Sequence, residues 1–161
     1  MKHLKGFTLI ELLVTLALVV VFAALAVPSF SSLIRSNRIT AQANEFAASL
    51  SIARSEAIRR GTPVAVTSQG GNDWSQGWTV SVVAPVTVLR NTDAFANDLN
   101  FTSAGGSNVF TFTSRGFLTN AASADSLTLC NPDLAEARLI SVGASGRISV
   151  VRTEDGTSNC P

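Results

Sequence analysis

Glu11 has the most unusual surroundings of any carboxylate in this sequence. It is followed by Leu12 to Val27, a run in which Thr15 is the only polar side chain. An acid one turn into a membrane-length apolar segment costs roughly 2.5–3.5 kcal/mol if it inserts unpaired, so it calls for a partner. A cut between Gly6 and Phe7 would create one. The new α-amine at Phe7 would have a pKa of about 8 and be largely protonated at neutral pH. A carboxylate on a neighbouring copy could then pair with it, because an ion pair in low dielectric is tolerated where a lone charge is not. Two other readings stand beside this one. Lys2 and Lys5 before an apolar run, with Ala24-Leu25-Ala26 further on, fit a cleaved secretory signal. About 20 apolar residues also suffice for an uncleaved anchor, with the two lysines left in the cytoplasm. Neither of these gives Glu11 a task.

Little else in the chain could do chemistry. Ser, Thr and Cys nucleophiles need an activating base, and the single histidine is His3. Asp125, Asp133 and Glu136 lack the partner constellation of a glycosidase or metal site and read as acids that cap turns. Gly105-Gly106 lacks the Lys-Ser/Thr that completes a phosphate-binding loop and reads as a hairpin turn. No enzyme, metal or cofactor is expected. The two cysteines, Cys130 and Cys160, match no metal spacing, and an export-type N-terminus favours a disulfide between them. The formal net charge is +1, from 12 basic and 11 acidic residues, which gives no bulk preference for nucleic acid or anionic lipid. Trp74 and Trp78 are read as sheet core, with a contact surface for a partner as the alternative.

These groups need elements to hold them. Residues 7–27 form an apolar helix. Pro28 should kink or locally break it, since proline lacks an N–H and its ring clashes with the carbonyl of Ala24. Helical periodicity then resumes: Ile39, Ala43, Phe46, Leu50, Ala53 and Ala57 recur at spacings of four and three, one face of an α-helix. Arg38, Glu45 and Glu56 fall off that stripe. Arg59 and Arg60 stand where the negative end of the helix dipole would lie, and Gly61 and Pro63 end the helix. Beyond Gly61 the pattern becomes that of strands, at 63–67, 78–83, 86–89, 109–113, 127–130, 138–142 and 147–151. Turn-forming clusters separate them, notably Gly70–Asp73 and Ser103–Gly106. The expected fold class is α+β, a long N-terminal helix packed on a C-terminal antiparallel β-sheet that covers the stripe of residues 39–57.

Gly6-Phe7-Thr8-Leu9-Ile10-Glu11 resembles the cleavage and methylation motif of type IV prepilins and type II secretion pseudopilins. The resemblance implies that a prepilin peptidase cuts after Gly6 and N-methylates Phe7, and that Glu11 pairs with a neighbour's N-terminus in a filament. Further along, Ala53–Gly61, Trp74-Ser75-Gln76-Gly77-Trp78, Phe112–Phe117 and Gly146-Arg147-Ile148 are similar to the GspH/FimT family of minor pilins and pseudopilins. The implied segments are a leader (1–6), a transmembrane and assembly helix (7–28), an amphipathic helix (29–61) and a β-rich globular domain (62–161). The implied role is that of a minor pilin of a type IV pilus, with a GspH-type pseudopilin of type II secretion as the alternative. Its partners would be other major and minor pilins, the prepilin peptidase and the inner-membrane assembly platform. It would sit in the inner membrane by a single pass, soluble domain in the periplasm, before joining an extracellular pilus. A third reading is a DNA-binding pilin. FimT-type receptors carry a C-terminal Gly-Arg-x-Arg; here Gly146-Arg147-Ile148-Ser149 keeps only the first arginine, and Arg152 is the next, with Glu154 and Asp155 close behind. Arg147 and Arg152 are therefore the candidate DNA contacts.

Overall fold

The computed structural model describes residues 7–95, 99–120, 124–132, 134, 136–153 and 160; the side chains of 25–29 are outside the description. The chain divides into two units, Met1–Arg35 and Ser36–Pro161. One helix, α1 (Leu9–Arg60), contributes to both. In the first unit every described side chain is exposed, including Leu9, Leu16, Val20, Phe22 and Phe30. The helix continues through position 28. Of the kink or local break expected at Pro28, the break does not occur: losing one backbone hydrogen bond costs about 3 kcal/mol, too little to end a helix with many intact turns on either side.

The second unit is built on the predicted stripe. Ile39, Ala43, Phe46, Leu50, Ala53 and Ala57 are all fully buried. Around them lie eight strands: β1 (Val64–Gly70), β2 (Asp73–Val82), β3 (Thr87–Thr92), β4 (Asn100–Ser103), β5 (Val109–Phe112), β6 (Asp125–Cys130), β7 (Ala137–Val142) and β8 (Ile148–Thr153). Every pairing is antiparallel, in the order β5-β1-β2-β4-β6-β7-β8, with β3 also on β2. The ten residues of β2 make this branching possible. One edge pairs with β1 along most of its length; the other takes β3 along Trp78–Val82 and β4 at Asp73. Seven strands match the expected runs. The eighth, β4, hides in a stretch that reads as turn, because of its four residues only Phe101 is a large apolar side chain. Phe101 and Ser103 nevertheless point inward with the alternation of a strand.

Aromatic rings fill the centre. Phe46 meets Trp74, Trp78 and Phe101 edge-on, with ring centroids 5.0, 5.0 and 4.9 Å away. Trp74 and Trp78 are fully buried, so they are core and not a contact surface. Trp74 Nε1 donates to the carbonyl of Ser107 at 2.9 Å. Asp125 braces the turn after β4. It accepts from the Ser103 hydroxyl and from the Gly105 and Ser126 amides at 2.8 and 2.7 Å. Burial pushes its carboxyl up, but these hydrogen bonds outweigh that and hold it below the usual aspartate range.

Cys130 and Cys160 are bonded, with Cα atoms 5.8 Å apart. Asn100, Cys130, Ala137 and Thr153 stand in register across β4, β6, β7 and β8. The chain that leaves β8 after Thr153 is thus tied back to β6, two strands away. Closing a loop over a separation of 30 residues should stabilise the fold by about 3–4 kcal/mol through the entropy of the unfolded chain. Replacing both cysteines by serine is expected to lower the urea midpoint by the corresponding amount, with a somewhat steeper denaturation slope because the unfolded chain without the cross-link exposes more surface. An unchanged midpoint would show that the bond adds no stability.

Candidate functional site

At the start of α1 a backbone in helical conformation leaves its first N–H groups without intrahelical acceptors. Thr8 and Glu11 satisfy them reciprocally. The Thr8 Oγ1 accepts from the Glu11 amide at 3.3 Å, and the Glu11 Oε2 accepts from the Thr8 amide at 3.3 Å and from its hydroxyl at 3.2 Å. Thr8 O takes the first helical bond from the Leu12 amide. Threonine at the cap and glutamate three residues later make a capping box, and the carboxylate also stands at the positive end of the helix dipole. The Thr-x-x-Glu spacing is plain in the sequence. Treating Glu11 as an acid in want of an outside partner passes over the donor three residues away. Phe7 is 79% exposed beside this turn, and Gly6 lies outside the described residues. Among the described residues, the hydrogen bonds to the Glu11 carboxylate come from Thr8 of its own helix cap.

The candidate DNA contacts do not converge. Arg147 is exposed in the turn before β8, whereas Arg152 pairs with Arg138 near the far end of that strand. Five residues of extended chain separate them by roughly 17 Å. Arg152 is also engaged: its Nη2 lies 2.5 Å from Glu136 Oε1. Glu136, read in the sequence as a turn-capping acid, is instead the centre of a network. Its Oε2 accepts from the Ser36 hydroxyl at 2.8 Å and stands 3.8 Å from Arg138 Nη1. Arg138 is nearly buried and donates to Thr40 Oγ1 at 2.8 Å. A buried guanidinium is tolerable only when paired and hydrogen-bonded, and Glu136, Thr40 and the Ala137 carbonyl meet that demand. Asp133, Glu154 and Asp155 lie outside the described residues. Among the described residues no group of three His, Cys, Asp or Glu side chains could hold a metal ion.

At the other end of the sheet the separated sequence motifs meet. Arg54 Nε donates to the Gly116 carbonyl at 2.9 Å and its Nη2 to the Ser145 carbonyl at 3.4 Å. One side chain of the helix therefore holds two turns, 113–117 and 143–147. Gly116 and Gly146 both have positive φ, and a Cβ on Gly146 would come within 2.1 Å of the Gly116 carbonyl oxygen. Only glycine permits this approach of backbone to backbone. At the helix end Arg59 and Arg60 both bind Glu56, with shortest contacts of 2.5 and 2.6 Å. The Arg59 hydrogen bond, then that of Arg60, holds the Glu56 carboxyl down at about 2.

Residues 1–27 match the prokaryotic N-terminal methylation motif. The model of the family described as type II transport protein GspH matches residues 42–146, well over half of the chain. The chain belongs to the GspH family. The match runs from the apolar stripe of α1 to Gly146, so it contains the whole Arg54–Gly116–Gly146 junction. Of solved structures, the type IV minor pilin FimU of Pseudomonas aeruginosa is similar at 25% identity, with 79% of this chain and 98% of that chain covered and a TM-score of 0.67. A second crystal form of FimU gives a TM-score of 0.65 at the same identity. The minor pseudopilin EpsH from the type 2 secretion system of Vibrio cholerae shares the fold at 16% identity, covering 70% of this chain and 95% of that chain, with a TM-score of 0.55. No curated protein gives a significant match. This GspH-family chain has the architecture of minor pilins and pseudopilins, and its family and fold are those of structural pilins rather than of enzymes.

Proposed function

We propose that the chain is a minor pilin of a type IV pilus, made as a precursor, cut between Gly6 and Phe7 and N-methylated on Phe7. In this reading residues 7–28 cross the inner membrane until the subunit is drawn into a filament, where they pack against the helices of other pilins. The prepilin peptidase and the inner-membrane assembly platform would be its partners before assembly, and the sheet domain would face first the periplasm and then the outside. Among the described residues no helix is long and apolar enough to cross a membrane; the apolar run continues through residues 25–27, whose side chains lie outside the description. The observation that carries the reading is the first unit itself. It heads an apolar helix with a carboxylate, leaves every described side chain uncovered, and contains the methylation motif. Each large aliphatic or aromatic side chain left in water forgoes about 1.5–3 kcal/mol of burial, so such a surface is built to be covered by lipid or by other subunits. FimU, the more similar of the two kinds of relative, favours the pilus over the secretion machine.

The N-terminus of the protein recovered from sheared filaments tests this. Mass spectrometry is expected to show a chain that begins with N-methylated Phe7. A mature chain that begins at Val27 would identify residues 1–26 as a secretory signal and end the pilin reading.

A further inference from the structure

The second unit carries an open groove of about 450 Å³ between the C-terminal turns of α1 and the start of β8. Ser51, Arg54, Ser55 and Ile58 of α1 form one wall, and Gly146 and Arg147 of the turn before β8, with Ile148 at the start of that strand, form the other. We infer that this groove takes a short extended segment of a partner protein in which one carboxylate stands beside a large apolar side chain.

The charge of the occupant follows from the lining, which holds two guanidinium groups and no acid. Arg115, exposed on the turn whose Gly116 carbonyl binds Arg54, adds a third positive charge nearby. The two lining arginines differ in use. Arg54 is fixed by its bonds to the Gly116 and Ser145 carbonyls, which leaves part of its fork for an acceptor and removes the entropy cost of ordering it. Arg147 is exposed at the rim and free to close on a carboxylate. The Ser51 and Ser55 hydroxyls on the same wall donate to the Ala47 and Ile52 carbonyls of their own helix at 2.8 and 2.9 Å, which leaves the two arginines as the donors for a carboxylate.

The size and the apolar part of the groove select a peptide. From Ser51 to Ile58 the helix rises about 10 Å at 1.5 Å per residue, the length of about three extended residues. Ile58 is 51% exposed, Ile148 is half-buried, and Phe117 stands 51% exposed on the adjoining turn. Aliphatic and aromatic walls around one charged centre suit a protein segment. A nucleic-acid strand is held instead by a row of phosphate contacts, and Arg152, bound to Glu136 at the far end of β8, does not extend the cluster of Arg54, Arg147 and Arg115 into such a row.

The experiment places p-benzoylphenylalanine at Ser55 of the full chain in its own cells, irradiates, and sequences the adduct by mass spectrometry. The expected adduct is a peptide with Asp or Glu within two residues of a large apolar side chain. Arg147→Glu is expected to reduce its yield at least about tenfold, since like charges facing each other cost several kcal/mol. Arg147→Lys and Arg152→Glu are expected to leave it within about twofold. Arg147 is exposed, so the purified Arg147→Glu protein should keep its Tm, and a lower yield then reports the groove. An adduct to nucleic acid, an adduct indifferent to Arg147→Glu, or no adduct overturns the inference. The proposed N-terminal processing is read separately, from the mass of the same protein's N-terminus, so failure of one does not imitate failure of the other.

Discussion

Glu11→Ala is expected to leave the protein at its normal level in the membrane while its recovery with sheared filaments falls at least about tenfold. The magnitude follows from where the carboxylate would sit. In an apolar bundle of helices, removing one member of an ion pair leaves the other charge buried alone, a loss of roughly 3–5 kcal/mol, where 1.4 kcal/mol is already tenfold. The cap geometry makes the experiment sharper, because Glu11 also serves its own helix through Thr8. A capping side chain is worth about 0.5–2 kcal/mol, felt at the end of the helix. Thr8→Ala removes the cap and keeps the charge; Glu11→Gln keeps a polar side chain in place and removes the charge. If pairing is the function, Thr8→Ala assembles nearly as well as the parent chain and Glu11→Gln fails like Glu11→Ala. If Thr8→Ala is as defective as Glu11→Ala, the carboxylate acts only as a cap and the pairing proposal is lost. The two roles also suggest an order of events. Until the amine exists, the cap occupies the carboxylate, and an unprocessed chain offers a neighbour no amine beside its first helical turn.

Phe46→Ala should be the most damaging single change in the sheet domain, with a loss of about 3–5 kcal/mol. Phe46 is fully buried and touches Trp74, Trp78 and Phe101 edge-on at once. Edge-to-face pairs add roughly 0.5–1.5 kcal/mol each beyond area burial, and three large rings cannot all shift to fill the space that one ring leaves. Domains of this size are stable by only about 5–15 kcal/mol in total, so the urea midpoint should fall by about a fifth or more, or the variant should fail to accumulate. Phe46→Leu, which conserves most of the volume, should lose less than half as much. A loss below about 1 kcal/mol for Phe46→Ala would show that the aromatic cluster is not the centre of this core.

The elements of this chain were legible where periodicity is strong and local. The spacing of Ile39, Ala43, Phe46, Leu50, Ala53 and Ala57 specifies the buried helix face, and all six are fully buried. Runs rich in β-branched residues specify seven of the eight strands. The sequence by itself therefore determined the α+β class, the core stripe, the family resemblance and the apolar N-terminal segment with its acid, because each rests on side chains a few residues apart. The tertiary structure decided the rest, because those features depend on partners distant in sequence. β4 is a strand only because β6 offers it a ladder at Asn100–Ser103, and β2 branches the sheet only because it is longer than either neighbour on one edge. Arg152 reads as a free cation until Glu136, 16 residues away, is found 2.5 Å from it. Arg54 has no evident partner in the sequence; two turns, 62 and 91 residues downstream, present their carbonyls to it. A charge takes its meaning from the nearest opposite charge or dipole, and chain spacing does not reveal how folding sets that distance.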